Sequence, residues 1–398
     1  MVIEVMGGHD VAKDIVLSAA KKGQHVITAN KALLAASLPL IEEAFPKRHA
    51  RNYRNIKTGE RGQGPTLGYE AAVCGSIPII RTLQTSLLCD NIYSIKGIMN
   101  GTTNYILSRM RQDSLSYSEA LKGAQAVGFA EADPTADVEG HDARNKLILL
   151  TKLAYGVYIP PEKVPCQGIT TVTDLDFEIA KELGYTIKLL GVSKSELIDT
   201  TTTTNNNKDT KPKRVLDMYV SPTLVREDSP LASTHDGLNQ VIVESESIGT
   251  STYYGPGAGR YPTANSVVAD MMNIAMGTMI LPPFPRPATT DRLKISNDIP
   301  RWWYLRAPTD IMNKLTSKLW YDILEINTTG RYHSRGYDAL LVTDRSAKDM
   351  QRLVNLANQS LASSSNTNTS INTNELKNPI ALFPVDDEFV PEEIPEEK

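Results

Sequence analysis

Five carboxylates lie within twelve residues near the middle of the chain, and a basic helical segment follows them. The acidic residues are Glu131, Asp133, Asp137, Glu139 and Asp142. Carboxylates taken one at a time are mostly exposed, so a solvated loop is one interpretation of this stretch. The other interpretation is a polar cluster at the rim of a cleft, where carboxylates can assist proton transfer.

Asp142 and Lys146 are spaced as neighbours on one face of a helix that the sequence predicts over 141–155. Leu149 and Leu153 continue this face, so protein should cover it and its polar end should lie at a cleft. On a surface, the pair would be an ordinary ion pair. At a partly desolvated rim, it would set the protonation of the lysine for proton transfer. Asp142 favours the ammonium form and burial favours the amine, so the direction of the lysine pKa stays open.

A strand predicted over 69–73 ends in a tight turn over 74–78, where backbone carbonyls leave the pairing of a sheet. Glu70 together with such carbonyls offers hard oxygen ligands, which suit a monovalent or alkaline-earth cation. A glutamate satisfied by local hydrogen bonds at the end of a strand is the alternative interpretation.

Two further stretches offer backbone groups to a ligand. Residues 100–104 follow a predicted strand and open a helix, so their amides and hydroxyls could hold an anionic or hydroxyl-bearing ligand. Helix capping alone would also explain Thr102. Residues 254–259 carry three alternating glycines before a helix. Their spacing is not the dinucleotide-binding pattern, although the backbone could approach a ligand closely there.

The first forty residues alternate between strand and helix, and this order predicts a parallel sheet. Strands are expected over 2–6 and 25–28, and helices over 11–22 and from Lys31 onward. Residues with helical spacing predict one buried face on the first helix: Val11, Ile15, Val16 and Ala19.

The centre of the chain mixes helices with strands, and two polar segments interrupt this pattern. The polar, basic segment 45–68 predicts a solvated loop, and the Thr/Asn-rich segment 199–213 predicts a disordered insertion. The expected helices cover 79–88, 104–112, 117–127 and 141–155, and the expected strands cover 92–98, 185–192, 215–220, 240–244 and 251–254.

A third unit follows a Pro-rich linker over 281–287. Its β-α-β-β-α order, completed by a last strand, is the split β-α-β plan. A Ser/Asn/Thr linker over 360–374 and an acidic tail from residue 386 flank the last strand. The expected strands are 302–304, 323–326, 339–342 and 380–383, and the expected helices are 311–319 and 350–356.

Composition excludes several classes of function. The 398 residues include 42 Lys plus Arg and 46 Asp plus Glu, a net charge of −4 with both signs mixed along the chain, so no nucleic-acid partner is expected. No apolar run approaches the ~20 residues of a membrane helix, so no membrane partner is expected. Cys74, Cys89 and Cys166 are an odd, scattered set, which excludes a disulfide framework and indicates a reducing compartment.

Seven stretches together resemble homoserine dehydrogenase, a family of NAD(P)-dependent oxidoreductases. These enzymes interconvert L-homoserine and L-aspartate 4-semialdehyde in threonine and methionine biosynthesis. The stretches occur in the order of the family between Met1 and Gly277. They are TANKALLA (28–35), YEAAV (69–73), GIMNGTTNYI (97–106), GFAEADPTADVEG (128–140), GYTIKLLG (184–191), SPTLV (221–225) and YGPGAG (254–259).

The resemblance implies a role for individual residues. Lys146 would be the general acid/base that takes the proton from the substrate hydroxyl, Asp142 would orient it, and Lys31 would lie near the nicotinamide and the substrate. The implied substrate-binding residues are Glu131, Asp137, Asp142, Gly101, Thr102 and Phe129. The implied contacts of the NADP or NAD cofactor are Gly7, Lys31, Gly128 and Gly257. A structural sodium ion would be held by Glu70 and the carbonyls of Val73, Gly75 and Ile77.

The resemblance also implies an α/β fold class with three parts. An incomplete NAD(P)-binding Rossmann domain would cover 1–68, with a helix over 261–277 packed back on it. An α+β catalytic and dimerisation domain would cover 69–280. A C-terminal ACT-like split β-α-β domain would cover 300–385, before an acidic tail over 386–398. A small-molecule substrate, a homodimer or homotetramer, and a cytoplasmic or plastid location are implied as well.

One part of the family pattern is missing from this sequence. No G-x-G-x-x-G turn precedes Val2, whereas the family begins with a strand, a Gly-rich turn and a helix that cradle the cofactor pyrophosphate. We therefore expect weak NAD(P) binding, and poor solubility from an uncovered sheet edge. A catalytically inactive truncated homologue with a dimerising or regulatory role is the alternative function. Retention of the acidic residues and Lys146 favours the enzyme.

Overall fold

The computed structural model describes residues 1–45, 64–198, 213–279, 283–286, 293, 295–296, 299–322, 328–364 and 380–386. These residues form one parallel and two antiparallel sheets, each packed against helices, so the fold class is α/β as predicted. Among these described residues, no helix is both long and apolar enough to cross a lipid bilayer.

The amino-terminal unit is a three-stranded parallel sheet in the order β1-β2-β3. Its strands are β1 Val2–Glu4, β2 Val26–Thr28 and β3 Leu67–Gly68, and its helices are α1 Asp10–Lys21 and α2 Lys31–Ala44. A later helix, α9 Arg260–Ala275, packs on β2 and β3. Gly68 permits this contact, because a Cβ at that position would lie 2.8 Å from the Cβ of Asp270.

The buried face of α1 differs from the predicted one. Val16 and Ala19 are buried, but Val11 is 62% exposed and Ile15 only half-buried. Ala12 takes the predicted place of Val11 in the core. The reason is that β1 is an edge strand of the described sheet, so the side of α1 beyond that edge has no sheet to pack on.

The central unit is a five-stranded antiparallel sheet in the order β6-β5-β4-β7-β8. Its strands are β4 Ile92–Ile98, β5 Tyr185–Ile198, β6 Lys213–Arg226, β7 Leu238–Ser245 and β8 Gly249–Pro256. The helices are α3 Ile79–Gln84, α4 Gly101–Gln112, α5 Tyr117–Ala126, α6 Thr135–Val138, α7 His141–Tyr155 and α8 Asp174–Glu182. The predicted insertion over 199–213 lies almost wholly outside the described residues, as does most of the predicted loop over 45–68.

Helix α7 lies between α2 on one side and strands β4 and β5 on the other, and most of its side chains are buried. It begins after Gly140 and ends before Gly156, both in the left-handed region at φ +79° and +72°. A Cβ at Gly140 would also lie 3.1 Å from the sulfur of Cys166 and from a methyl of Val220. A glycine at this position therefore fixes where the helix starts.

The strand predicted over 69–73 is wrong. The chain pairs only at β3 and then forms a 3-10 turn over Glu70–Ala72. Three hydrogen bonds explain the turn: the Glu70 amide donates to the Asp270 carboxylate, and the Glu70 carboxylate accepts from the amides of Ile80 and Arg81 in the first turn of α3. Polar contacts of Glu70 therefore replace the strand pairing that the apolar residues suggested.

The C-terminal unit is a four-stranded antiparallel sheet in the order β10-β11-β9-β12, the predicted split β-α-β plan. Its elements are β9 Pro300–Pro308, α10 Thr309–Asp322, β10 Thr328–Ser334, β11 Tyr337–Ser346, α11 Ala347–Ser364 and β12 Ala381–Pro384. The strand expected over 323–326 lies outside the described residues. Helix α11 runs beyond residue 360, where a linker was predicted, so that boundary is wrong.

Buried polar contacts fix the C-terminal unit to the central one. Arg306 of β9 and Asp176 of α8 form an ion pair in which both side chains are fully buried, and the Tyr304 hydroxyl donates to the same carboxylate. Near β12, the Lys96 ammonium lies 3.0 Å from the Asp386 carboxylate. The two units therefore share a desolvated polar interface.

Candidate active site

Asp142 and Lys146 meet at the amino-terminal end of α7, as their spacing predicts. The Lys146 Nζ lies 2.7 Å from Asp142 Oδ2 and donates a 2.7 Å hydrogen bond to the Met99 carbonyl. From the other side, the Lys31 Nζ lies 3.1 Å from Asp142 Oδ1. Lys31 is the first residue of α2, so two helices and the end of β4 bring two lysines onto one carboxylate.

Asn100 joins this cluster, although it is not among the predicted site residues. Its Nδ2 donates to Asp137 Oδ1 at 2.7 Å and to Asp142 Oδ2 at 2.8 Å. Its Oδ1 accepts from the Thr103 amide, so the same side chain caps α4. The position of Asn100 between a predicted strand and helix was the only sequence signal for it.

Opposing charges set the protonation of the cluster. Burial alone would raise the pKa of Asp142, but the ammonium groups of Lys146 and Lys31 outweigh burial and hold that pKa well below its usual range. Burial would lower the pKa of Lys146, yet the Asp142 carboxylate outweighs it and raises that pKa. The direction that the sequence left open is thus decided in favour of the ammonium form.

The pKa of Asp137 shifts in the opposite direction to that of Asp142. Burial raises its pKa and the Asp142 charge adds to that rise, although the Asn100 hydrogen bond acts against it. A cationic group placed beside Asp137 would therefore stabilise its charged form.

A cavity of about 530 Å³ opens beside the cluster, within the size range of small-molecule sites. Lys146 lies behind Asp142 and is only 7% exposed, whereas Lys31 reaches the cavity with its side chain 40% exposed. The predicted residues on its wall are Gly7, Lys31, Glu131, Asp137 and Asp142. Unpredicted wall residues include Gly8, Asn30, His141 and Asn145.

Gly7 and Gly8 form an open backbone turn between β1 and α1 on the wall of this cavity. Both have positive φ, +77° and +74°, and no heavy atom lies within 4 Å of a Cβ built on either. The Asn30 side chain donates to the Gly8 carbonyl at 2.8 Å and fixes the turn. Such an unobstructed turn leaves room for a ligand to approach the backbone closely.

The other predicted substrate residues lie at the start of α4 rather than on the cavity wall. The Thr102 hydroxyl donates to the Phe129 carbonyl at 2.8 Å, and the Phe129 ring stacks on Tyr105 at 4.6 Å between centroids. Gly101 packs against the Gly237 carbonyl, 2.7 Å from where its Cβ would stand. These contacts place Gly101, Thr102 and Phe129 around the helix that Asn100 caps.

Gly128 and Gly257 are also placed away from the wall. Gly128 follows α5 with φ +81° and open space around it. Gly257 packs on Asn239, and its carbonyl would lie 2.8 Å from a Cβ on Gly75. Both glycines permit tight backbone conformations in the described structure.

The residues predicted to hold a cation lie together at the turn before α3. Burial raises the pKa of Glu70 to about 7, and the hydrogen bond that its carboxylate accepts from the Arg81 amide lowers it in part. The carbonyl of Gly75 accepts from the Ser266 hydroxyl, and that of Ile77 accepts from the Ile79 amide. Glu70 therefore has the local hydrogen bonds of the alternative interpretation.

Comparison with known proteins places this cluster in a family. A model of the homoserine dehydrogenase family matches residues 78–272, and a model of the homoserine dehydrogenase NAD binding domain matches residues 1–54. A solved homoserine dehydrogenase from Thiobacillus denitrificans aligns with 97% of this chain and 82% of its own, at 30% identity and a TM-score of 0.74. The chain belongs to the homoserine dehydrogenase family. Both matched regions contribute residues to the cluster around Asp142.

Two further relatives extend the comparison within the homoserine dehydrogenase family. The homoserine dehydrogenase of Bacillus subtilis (strain 168) is 39% identical over 275 residues, which are 69% of this chain and 56% of the relative. The chain thus spans about half the length of the curated relatives it matches. A hyperthermophilic archaeal homoserine dehydrogenase solved in complex with NADPH has the same fold at 24% identity, with a TM-score of 0.52 over 70% of this chain and 73% of its own.

Proposed function

We propose that this chain is a homoserine dehydrogenase that interconverts L-homoserine and L-aspartate 4-semialdehyde with NAD or NADP. The observation that carries the proposal is the Lys146 ammonium at the cluster. Two of its three N–H donors have partners among the described residues, the Met99 carbonyl and Asp142. The third donor remains for a substrate oxygen.

When bound, the cofactor supplies the hydride chemistry by which the carbon of the substrate is oxidised or reduced. Gly7, Gly8 and Lys31, which line the cavity, would lie nearest to its nicotinamide. The proposed work of the remaining residues is to bind the amino acid and to move one proton.

Glu131 and Asp137 suit the substrate ammonium, because both lie on the cavity wall and the pKa of Asp137 is raised by burial and by Asp142. Lys146 would donate a proton to the substrate oxygen during aldehyde reduction and accept one during alcohol oxidation. Because Asp142 raises the pKa of Lys146, the geometry favours proton donation near neutral pH, and oxidation should speed up as the pH rises.

The test is homoserine-dependent formation of NADH or NADPH by the full chain, followed by absorbance, together with calorimetric binding of homoserine alone. We expect both turnover and binding, and about tenfold weaker homoserine binding after Asp137→Asn, which removes one charge from the ammonium site. Asp344→Asn, an exposed aspartate far along the chain, is the matched control. Binding without turnover would support the inactive homologue, and absence of both would overturn the proposal.

We also propose a structural sodium ion at Glu70 with the carbonyls of Val73, Gly75 and Ile77. Its support is electrostatic: burial and the nearby Asp270 carboxylate both raise the pKa of Glu70, so an added cation would stabilise its charged form. The proposed oxygen ligands fit a sodium ion in part, because the carbonyls of Gly75 and Ile77 already accept one hydrogen bond each. The expected result is a melting temperature that rises with NaCl and not with matched choline chloride.

Three further features of the family are inferred for this chain. The split β-α-β order of the C-terminal unit supports an ACT-like domain.

Strand β8 is the edge of the central sheet, and Tyr254 on it is 56% exposed, which supports a homodimer or homotetramer joined along this edge. Sedimentation of Tyr254→Glu beside the parent chain tests that surface, with a smaller species expected for the variant. A cytoplasmic location stays a prediction.

A further inference from the structure

Helices α2 and α7 lie side by side, and an ion pair joins them at each end of their contact. In their first turns, the Lys31 Nζ lies 3.1 Å from Asp142 Oδ1. Near the other end of both helices, the Lys152 Nζ lies 3.0 Å from Glu42 Oε2. The two helix axes therefore run in the same direction. At a rise of about 1.5 Å per residue, the two ion pairs lie roughly 15 Å apart.

The Glu42–Lys152 pair is largely shielded from solvent. The Lys152 side chain is 5% exposed and that of Glu42 is 24% exposed. Lys152 also donates to the carbonyl of Gly156, the residue that ends α7, at 3.3 Å. An ammonium buried this deeply is destabilising without its carboxylate. Lys152 therefore holds Glu42, and with it the second half of α2, in one place.

A third contact lies at a kink in α2. Pro39 stands inside this helix, and Ser37 has the non-helical angles φ −118° and ψ +17°. Because proline has no amide hydrogen, the Ala35 carbonyl one turn earlier lacks its usual helical donor. The hydroxyl of Tyr158, in the segment that follows α7, donates to this carbonyl at 3.0 Å. The kink thus gives the segment after α7 a hold on the middle of α2.

These contacts join the two regions of the chain that the family models match. Helix α2 lies within residues 1–54, which match the NAD binding domain, and α7 and Tyr158 lie within residues 78–272. Since a kink lets the two halves of a helix shift separately, the pair at Lys31 alone does not fix the alignment of α2.

We propose that Glu42, Lys152 and Tyr158 are positioning residues, which together form the α2 clamp. The α2 clamp holds α2 in register with α7, so that the Lys31 ammonium reaches the Asp142 carboxylate. Its effect on turnover rests on the proposed function, whereas its hold on α2 does not.

Charge reversal at Glu42 tests the effect on turnover. Glu42→Lys places a second ammonium beside Lys152, and we expect kcat for homoserine oxidation to fall at least about fivefold, because small displacements of reacting groups are costly in rate. Glu43→Lys makes the same change at the exposed neighbouring position and should keep the parent kcat. A parent-like kcat in Glu42→Lys would overturn the proposal.

Tyr158→Phe is a milder test, because it removes only the hydroxyl that bonds the Ala35 carbonyl. We expect kcat to fall about two- to fivefold with the fold intact. Tyr261→Phe, at a 79% exposed position, is the matched control and should be parent-like. Equal kcat values for Tyr158→Phe and its control would remove Tyr158 from the α2 clamp.

A double-mutant cycle separates positioning from a general loss of stability. If the α2 clamp acts through Lys31, Glu42→Lys should lower kcat in the parent chain but change it less than about twofold in a Lys31→Met background. Losses of equal size in both backgrounds would overturn the positioning role.

Amide hydrogen exchange tests the hold on α2 without substrate or cofactor. In peptides that cover residues 31–37, exchange should be at least about threefold faster in Glu42→Lys and Tyr158→Phe than in the parent chain and in Glu43→Lys. Unchanged exchange in both clamp variants would overturn the proposal. Absence of homoserine turnover by the parent chain would instead count against the proposed function, and the exchange result would still decide whether the α2 clamp exists.

Discussion

The buried Lys188 should make the free energy of unfolding of this chain depend on pH. It lies on β5 and is 2% exposed, and its Nζ donates to the Thr234 carbonyl at 2.6 Å and to the Asn104 side-chain oxygen at 3.2 Å. Burial lowers its pKa to about 7, and the charge of Arg111 adds to that effect. Both of these hydrogen-bond partners are neutral, and among the described residues the Asp236 carboxylate offsets the effect of burial only in part.

The pH dependence follows from the difference in bound protons. Between pH 7 and about 10 the unfolded chain keeps this lysine protonated while the folded chain has lost the proton, so the free energy of unfolding rises with pH. The lysine contributes a slope of roughly 1.4 kcal/mol per pH unit, or about 3 kcal/mol from pH 7.5 to 9.5. Below pH 7 both the folded and the unfolded chain keep this lysine protonated, so its contribution to the slope vanishes.

Urea unfolding of the parent chain and of Lys188→Met at several pH values across this window measures the slope. Other groups titrate in both proteins and cancel in the difference, so the variant should lack the parent's extra rise with pH. Lys181→Met removes an exposed lysine from α8 and should keep the parent slope. Identical slopes for the parent and Lys188→Met would refute the reasoning that burial displaces the proton.

Three further substitutions probe the interface and the cluster. Arg306→Met leaves the buried Asp176 carboxylate without its cation and should lower the free energy of unfolding by about 3–5 kcal/mol in urea titrations, whereas an equal value would contradict a shared desolvated interface. Asn100→Ala removes both hydrogen bonds that hold Asp137 and Asp142, so kcat for homoserine should fall about tenfold or more, and an unchanged kcat would count against this positioning role. Gly140→Ala places a Cβ in the left-handed region 3.1 Å from Cys166 and should lower the melting temperature by several degrees, corresponding to about 1–3 kcal/mol; a parent-like melting temperature would contradict the account of how α7 starts.

Local patterns predicted the parts of the fold that depend on near neighbours. The bounds of α7 match the expected 141–155, because Gly140 and Gly156 end the helical conformation on both sides. The i, i+4 spacing likewise placed Asp142 beside Lys146. Helix α8 could have been found as well, since the pair Thr173 and Asp176 forms a capping box that the sequence displays.

Contacts between distant segments were not predictable in the same way. Asn100 reaches Asp137 and Asp142 only because the end of β4 meets the start of α7, and no local pattern encodes that approach. The turn at Glu70 depends on Asp270, 200 residues further along the chain. The exposure of Val11 depends on which strand lies at the edge of the parallel sheet.

The direction of the Lys146 pKa shift was likewise not predictable from the local sequence. The sequence named the two opposing effects, burial and the Asp142 charge, but their balance depends on distances. With Nζ 2.7 Å from Asp142 Oδ2, the ion pair outweighs burial and the pKa is raised.

The proposed role of the Lys146 ammonium is to exchange the proton of the substrate hydroxyl. Its most direct test is kcat for homoserine oxidation by Lys146→Met, measured beside the parent chain and beside Lys122→Met, which removes an exposed lysine from α5. We predict a loss of about 10²–10⁴-fold for Lys146→Met and parent-like turnover for the control. Parent-like turnover by Lys146→Met would contradict the claim.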